Sequence, residues 1–478
     1  METSALHATI LSSPGMGHLI PVLELAKHLV THHNIPVTIL VVTTHASESH
    51  HLHHTPTNLL RVVHLPPVDA SSLLPDPSSA TVVTKLCVMM RAAVPSVRSA
   101  LLRLRPRPTS LIVDLFGHDS LPIADDLRIP KYVYVPSNAW FAALTCYCHV
   151  LDNQIAGQYV DQTEMLTMPG CKPLKPEDVV DPMLDRNDQQ YLEYKRMGVE
   201  YSSAHGMLLN TWEDLDPRSL KALRSIAANV PVYPIGPLTK RPETEAEDTV
   251  TGLAEWLDNQ PGESVLYVSF GSGGALSREQ LTELAWGLEM SQQRFVWVVR
   301  PPVDGQADAS FFSSGRSAVS GAVDFLPEGF MDRTQSLGLI VPLWAPQVKI
   351  LSHPSVGGFL SHCGWNSTLE SLTNGVPMIA WPLYAEQRMN ATFLVEEVGV
   401  AVKPEVLPTK KVVRREEIEE MVRSVMEPER GKGMRVRAKE LKSSGEKALS
   451  EGGSSYNSLC EVIKDWELRL ESTKFNHE

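Results

Sequence analysis

The chain has few cysteines: Cys87, Cys146, Cys148, Cys171, Cys363 and Cys460 are scattered, and none forms a Cys-x-x-Cys pair. A chain this long needs no disulfide staples, so the thiols read as reduced and the compartment as cytoplasmic. It also lacks a basic excess. Lys and Arg number 43 against 56 Asp and Glu, a net charge of −13. That balance argues against non-specific nucleic-acid or anionic-membrane binding, while leaving room for a local phosphate pocket. Met1 to Ile10 carries no basic n-region, and no signal peptide is read. One stretch, Tyr132 to Leu151, is free of Asp, Glu, Lys and Arg over about 20 residues, the length of a membrane span. The Pro136-Ser137-Asn138 turn signal and His149 interrupt it. A strand Tyr132–Val135 and a helix Ala139–Val150, both buried, fit better, and no membrane insertion is expected.

Apolar residues make up 43% and charged residues 21% of the 478 positions, an ordinary globular mixture with material for about two or three domains. Strand and helix patterns alternate. An apolar run from Ala8 to Ser12 leads through Ser13-Pro14-Gly15-Met16-Gly17-His18 into helical spacing from Leu19 to Val30. Gly15-x-Gly17 lacks the third glycine of a dinucleotide fingerprint. The turn still places His18 at a helix start, on the carboxyl edge of the first strand, where open parallel sheets bind ligands. Val37–Thr43 and Arg61–Leu65 read as strands, and Thr81–Leu104 as a helix. Ser110–Val113 is a buried strand ending at Asp114, which can face His18. His45, His50, His51, His53 and His54 have no ligand spacing and read as a solvated loop. Asp214-x-Asp216 matches a metal-binding pattern, but Asp216-Pro217 reads as a helix N-cap with Pro at the first helical position.

The second half restarts the pattern after a polar, acidic stretch, Thr239–Val250, which reads as a linker. Val265–Phe270 is a strand, Gly271-Ser272-Gly273-Gly274 a loop able to cradle phosphate, and Ser277–Met290 a helix. Phe295–Val299 is a strand and Pro301–Val323 a surface loop. Further helices start at Arg388 and Arg415, and Tyr456–Leu470 reads as the last helix. The whole reads as α/β, with doubly wound parallel sheets.

The most informative stretch runs from Trp344 to Gln387. It holds Trp344-Ala345-Pro346-Gln347, a buried strand Val356–Leu360, the run Ser361-His362-Cys363-Gly364-Trp365-Asn366-Ser367, and a close at Tyr384-Ala385-Glu386-Gln387. Ser367-Thr368-Leu369-Glu370 fits a capping box opening a helix to Asn374. His362, Asn366 and Ser367 then stand where a strand ends and a helix begins, a place that attracts phosphate. Trp344 offers a flat face for a base, and Glu386 and Gln387 offer groups suited to hydroxyls. Together these describe a sugar nucleotide.

This segment resembles, almost position for position, the signature box of plant secondary-metabolite UDP-glycosyltransferases, the family 1 inverting glycosyltransferases. Ser361 stands where that family more often has Thr. The runs Pro14 to Pro21 and Val113 to Gly117 look closest to its hydroquinone (phenol) glucosyltransferase group. The resemblance implies a GT-B fold, with two Rossmann-like domains facing across a cleft. It suggests an acceptor domain at 1–238, a linker at 239–250, a UDP-sugar domain at 251–455, and a final helix at 456–478 that packs back on the first domain.

It also implies a chemistry: an acceptor hydroxyl attacks the anomeric carbon of UDP-glucose and gives a β-O-glucoside. A phenol, with a pKa of about 10, needs a base at neutral pH. By position and by resemblance, His18 is that base and Asp114 its orienting acid. Trp344 would stack on uracil, with Ala345 and Gln347 beside it, and Glu370 would hold the ribose. Ser272, His362, Asn366 and Ser367 would take the phosphate charge, and Trp365, Glu386 and Gln387 would read the sugar. Gln at the last position suggests glucose. Met16, Phe116, Trp140 and Phe141 are candidates for an aromatic acceptor slot. No metal and no cofactor beyond the co-substrate is expected, and the chain is expected to act as a monomer. Attack through N, S or C nucleophiles, a Ser-His-Asp hydrolase using Ser12 or Ser13, and a non-catalytic UDP-sugar binder stand as alternatives. No Gly-x-Ser-x-Gly elbow supports the hydrolase.

Overall fold

A computed structural model describes residues 6–44, 58–240, 252–303 and 325–475. The histidine run 45–54, nearly all of the expected linker and most of the loop expected at 301–323 lie outside the described residues. The chain forms two compact units. Unit 1 comprises Met1–Glu177, Pro182–Thr239 and Lys447–Glu478, and unit 2 comprises Asp178–Asp181 and Lys240–Glu446. Two boundaries differ from the sequence reading. The chain rejoins unit 1 at Lys447, ahead of the expected 456, because Leu449 already packs on that unit's core. Asp178–Asp181 belong to unit 2, where Asp181 pairs with Arg388.

Unit 1 is built on seven parallel strands: β1 Ala8–Ser12, β2 Val37–Val41, β3 Leu60–His64, β4 Ser110–Asp114, β5 Lys131–Val135, β6 Gly206–Leu209 and β7 Val232–Pro234. Their order is β3-β2-β1-β4-β5-β6-β7. Strands β1, β2, β4 and β5 are buried at every position, which is why they read as continuous apolar runs without alternation. The helix Met16–His33 turns Val22, Leu25, Ala26 and Leu29 inward at helical spacing onto Ile10 and Ile39. The final helix, Ser454–Phe475, adds Leu459, Val462 and Trp466 to the same core. Tyr132 to Leu151 resolves into β5 and the helix Ala139–Gln154, and among the described residues no helix is long and apolar enough to cross a membrane.

Unit 2 repeats the plan with β8 Val265–Ser269, β9 Arg294–Val299, β10 Gly338–Pro342, β11 Val356–Ser361, β12 Met378–Ala380 and β13 Ala401–Val402, in the order β10-β9-β8-β11-β12-β13. The helix Arg278–Ser291, capped by the Ser277 hydroxyl, packs Leu281, Leu284, Ala285 and Leu288 in one core with Ile418, Met421, Val422 and Val425 of the helix Arg415–Met426. In both sheets the strand order reverses at the centre, between β1 and β4 and between β8 and β11. Beyond the carboxyl ends of such strands, neighbouring loops diverge and leave a crevice. The two units carry the α/β GT-B architecture.

Candidate active site

In unit 1 the switch point brings β1 beside β4, with Leu11 opposite Val113, so the residues just beyond both strands emerge together. Gly15, at φ 102°, lets the chain turn from β1 straight into the helix Met16–His33, and His18 falls in its first turn. The His18 amide donates to the Gly15 carbonyl at 3.1 Å. The imidazole Nδ1 lies 3.8 Å from Asp114 Oδ2, an ion-pair distance rather than a hydrogen bond. Asp114 is fully buried, and Ser13 holds it: the Ser13 amide donates to Oδ2 at 2.8 Å, and the Ser13 hydroxyl donates to the same oxygen.

The electrostatics follow from burial. Desolvation pushes His18 below its ordinary value against the pull of Asp114. Desolvation also pushes Asp114 up, against His18 and the Ser13 bonds. The imidazole is therefore neutral at pH 7 and able to take a proton, with a carboxylate near enough to stabilise the cation that results. Because the Ser13 hydroxyl donates to Asp114 and not to His18, the three side chains are not connected as a Ser-His-Asp nucleophile requires.

The acceptor candidates divide. Phe116 packs edge-on against His18 with ring centroids 5.2 Å apart, and Met16 is exposed at the same helix start. Trp140, 1% exposed, and Phe141, 6.4 Å from the Tyr194 ring, are buried in the core of unit 1. Asp216, read as a cap of its own helix, does stand before Pro217. Its carboxylate accepts the amides of Ala139 and Trp140, capping the neighbouring helix, and also interacts with Ser219 in the first turn of its own helix. Asp214 is exposed, whereas Asp216 is buried.

In unit 2 every donor candidate lies at or beyond the carboxyl ends of β8, β10, β11 and β12. His362 follows β11 and is 7% exposed, wedged between two glycines. A Cβ on either Gly271 or Gly364 would come within 2.5 Å of its ring. Burial, with the Arg300 charge adding to it, pushes His362 down to about 4, so its ring is a neutral hydrogen-bonding group. Among the described residues its Nδ1 is buried without a hydrogen-bond partner. The helix Trp365–Asn374 starts directly after Gly364, and Asn366 and Ser367 fall in its first turn, where the backbone amides have no carbonyl of their own helix to donate to. This corrects the capping-box reading. The helix begins ahead of Ser367 with Gly364 at the cap position, and Glu370 bonds elsewhere. Gln347 Nε2 donates to Ser367 Oγ at 2.9 Å and to Glu370 Oε2 at 2.6 Å, locking those three candidates together.

Trp344 is 47% exposed, while Ala345 beside it is buried. Trp365 is buried with its ring 6.2 Å from Phe393. Ser272 is exposed on the glycine loop. Glu386 caps the helix Gln387–Thr392 by position and accepts from Asn390 Nδ2 at 3.3 Å. Gln387 Oε1 accepts the amides of Leu383 and Tyr384 at 2.9 and 3.0 Å, so its acceptor half closes the turn and its amide nitrogen remains as donor. The sequence reading missed Arg300. Its guanidinium donates to the carbonyls of Ser272 and Leu343, tying the glycine loop to the residue before Trp344. The available signal was an arginine directly after a buried strand. The hold of Ser13 on Asp114 likewise has no mark in the local sequence.

A base beside a carboxylate in one unit, and a phosphate-type nest with an exposed indole in the other, are the parts of a sugar-nucleotide transferase. Residues 243–437 match the family described as UDP-glucoronosyl and UDP-glucosyl transferase. The chain is 55% identical to anthocyanidin 3-O-glucosyltransferase 5 of Manihot esculenta, over 96% of this chain and 95% of that one. It is 43% identical to hydroquinone glucosyltransferase of Rauvolfia serpentina, over 98% and 99%. Among solved structures it is similar to TcCGT1 in complex with UDP, with a TM-score of 0.89 and 51% identity over 98% of this chain and all of that one. The chain belongs to the plant UDP-glycosyltransferase family.

Proposed function

We propose that this protein transfers glucose from UDP-glucose to a hydroxyl of a small phenolic acceptor, with inversion to the β-glucoside. The observation that carries the reading is the neutral, largely buried His18 set 3.8 Å from Asp114 at the carboxyl edge of the sheet. The acceptor oxygen attacks the anomeric carbon while its proton passes to His18. The bond from that carbon to the β-phosphate oxygen breaks, and UDP leaves with the electron pair. Asp114 stabilises the imidazolium, and general-base assistance of this kind contributes about 10²–10⁴-fold. Phe116 and Met16 flank the acceptor. Trp344 stacks on the uracil, Gln347 and Glu370 serve the ribose, and His362, Ser272 and the first turn of the helix Trp365–Asn374 receive the growing phosphate charge. Glu386 and Gln387 read the hexose hydroxyls. The relatives named for glucosylating an anthocyanidin and hydroquinone support a phenolic acceptor.

The test is His18→Ala, assayed with UDP-glucose across a panel of phenolic, amine, thiol and carbon acceptors, with products identified by mass spectrometry and NMR. Transfer to phenols should fall roughly a thousandfold while UDP binding persists. Unchanged turnover would sink the base assignment, and products confined to nitrogen, sulfur or carbon would sink the phenolic one. Because these groups take the phosphate charge themselves, EDTA should leave the rate intact. A loss restored by Mn²⁺ would overturn that part.

A further inference from the structure

Four residues, Asp178–Asp181, belong to unit 2 although the chain on both sides of them belongs to unit 1. Their long-range hydrogen bonds and ion pairs converge on one stretch of unit 2. Asp178 Oδ2 accepts from Thr392 Oγ1 at 2.7 Å and from Lys403 Nζ at 3.5 Å. The Val179 carbonyl accepts from Arg388 Nε at 3.2 Å. Asp181 does the most. Its amide donates to the Ala385 carbonyl at 3.1 Å, its Oδ2 accepts the Ala385 amide at 2.6 Å, and its Oδ1 accepts from the Arg388 guanidinium. Val179 and Val180 are buried beside these contacts.

Ala385 is the residue that needs holding. Its φ is 57°, in the left-handed region that a residue with a Cβ rarely adopts unless its surroundings impose it. Asp181 takes both of its backbone polar groups, while Gln387 Oε1 closes the turn from the other side onto Leu383 and Tyr384. The turn that presents Glu386 and Gln387 is thus fixed from outside its own sequence. We propose that Asp181 is a positioning residue for donor-sugar recognition, holding the turn at Ala385 so that Glu386 and Gln387 meet the hexose hydroxyls. The inference rests on the reading that Glu386 and Gln387 contact the sugar. Asp181 touches neither donor nor acceptor in this role. Without its carboxylate, Ala385 relaxes out of the left-handed region. Arg388, whose side chain is 6% exposed, then loses its ion-pair partner two residues from Glu386.

The experiment compares Asp181→Asn, Asp181→Ala and Gln387→Ala with the unaltered protein. It measures KM and kcat for UDP-glucose and UDP-galactose, the Kd of UDP, which lacks the hexose, and thermal stability. For both Asp181 variants, KM for UDP-glucose should rise roughly tenfold and the preference over UDP-galactose should shrink, because a small displacement of positioning groups is amplified in rate and binding. UDP affinity should stay within about twofold, since the uracil, ribose and phosphate groups are held by other loops. Equal weakening of UDP and UDP-glucose would mean a merely structural role and overturn the proposal. So would unchanged KM and selectivity in Asp181→Ala. If Asp181→Ala does not fold, Asp181→Asn, which keeps the volume and one acceptor, decides by the same criteria. Gln387→Ala separates the two levels. If it leaves UDP-glucose handling unchanged, the sugar-reading assignment itself fails; if it alters it while the Asp181 variants do not, only the role of Asp181 fails.

Discussion

Asp114 was legible because it ends an apolar run, and His18 because it opens a helix one turn beyond another, both where a parallel sheet presents ligand groups. What their letters did not reveal was the state of the pair. Ser13 and Asp114 are 101 residues apart and meet only because β1 pairs with β4. A contact of that range leaves no local pattern to read. Its consequence is testable through pH. Burial holds His18 below its ordinary value of about 6.5, and the reaction needs the neutral ring. The rate should therefore be flat near pH 7 and fall only as pH drops through a midpoint below 6.5. Asp114 favours the protonated ring, so Asp114→Asn should move that midpoint lower still. The plateau should also drop roughly a hundredfold, because the imidazolium formed in the transition state loses its counter-charge. A pH–kcat/KM profile of both proteins checks the two effects together, and a midpoint that rises in the variant would contradict the assignment.

Among the elements, β1, β2, β4, β5, β8, β9 and β11 were plain in the sequence as apolar runs, and so was the helix at Thr81–Leu104, but β6, β7, β10 and the helices Gln189–Glu200 and Lys432–Leu449 were not assigned. β12 and β13 were not assigned, because two or three residues carry no period. The capping box at Ser367–Glu370 went wrong for a different reason. The local code was present, but Gly364 starts the helix earlier and Gln347, from another loop, takes the Glu370 carboxylate. The same junction yields a sharp prediction. Gly364 has φ −59°, so alanine meets no backbone strain there, and its Cβ would collide with His362 Nε2 at 2.5 Å. Gly364→Ala should displace the imidazole and weaken UDP binding roughly tenfold, while the melting temperature shifts by no more than about 5 °C. Calorimetric titration with UDP measures the first and a thermal melt the second.

At the scale of the molecule, two sheets of the same topology were readable from the restart of the strand–helix pattern after residue 250, and the signature box told which half carries the nucleotide nest. The course of the chain between units was less readable, since Asp178–Asp181 and the return at Lys447 depend on tertiary contacts with no mark in composition. The return matters for stability. Trp466 is fully buried in the core of unit 1, 5.8 Å from the Tyr132 ring, and Asp465 next to it accepts from the Tyr132 hydroxyl. Trp466→Ala should destabilise the protein by about 3–5 kcal/mol. The loss should appear in urea unfolding as a transition assigned to unit 1, with the unfolding of unit 2 left near its original midpoint.

Because its closing helix is encoded after nearly all of unit 2, unit 1 has a peculiar birth order. On the ribosome, its seven strands emerge early, yet the hydrophobic surface awaiting Leu459, Val462 and Trp466 stays uncovered until the rest of unit 2 has been made. Unit 2, encoded almost wholly in one later block, has its full complement of residues sooner after its first strand appears. Nascent chains stalled before residue 447 would expose that unsealed surface to chaperones, and a premature stop there would remove the piece that the oldest part of the protein has been waiting for.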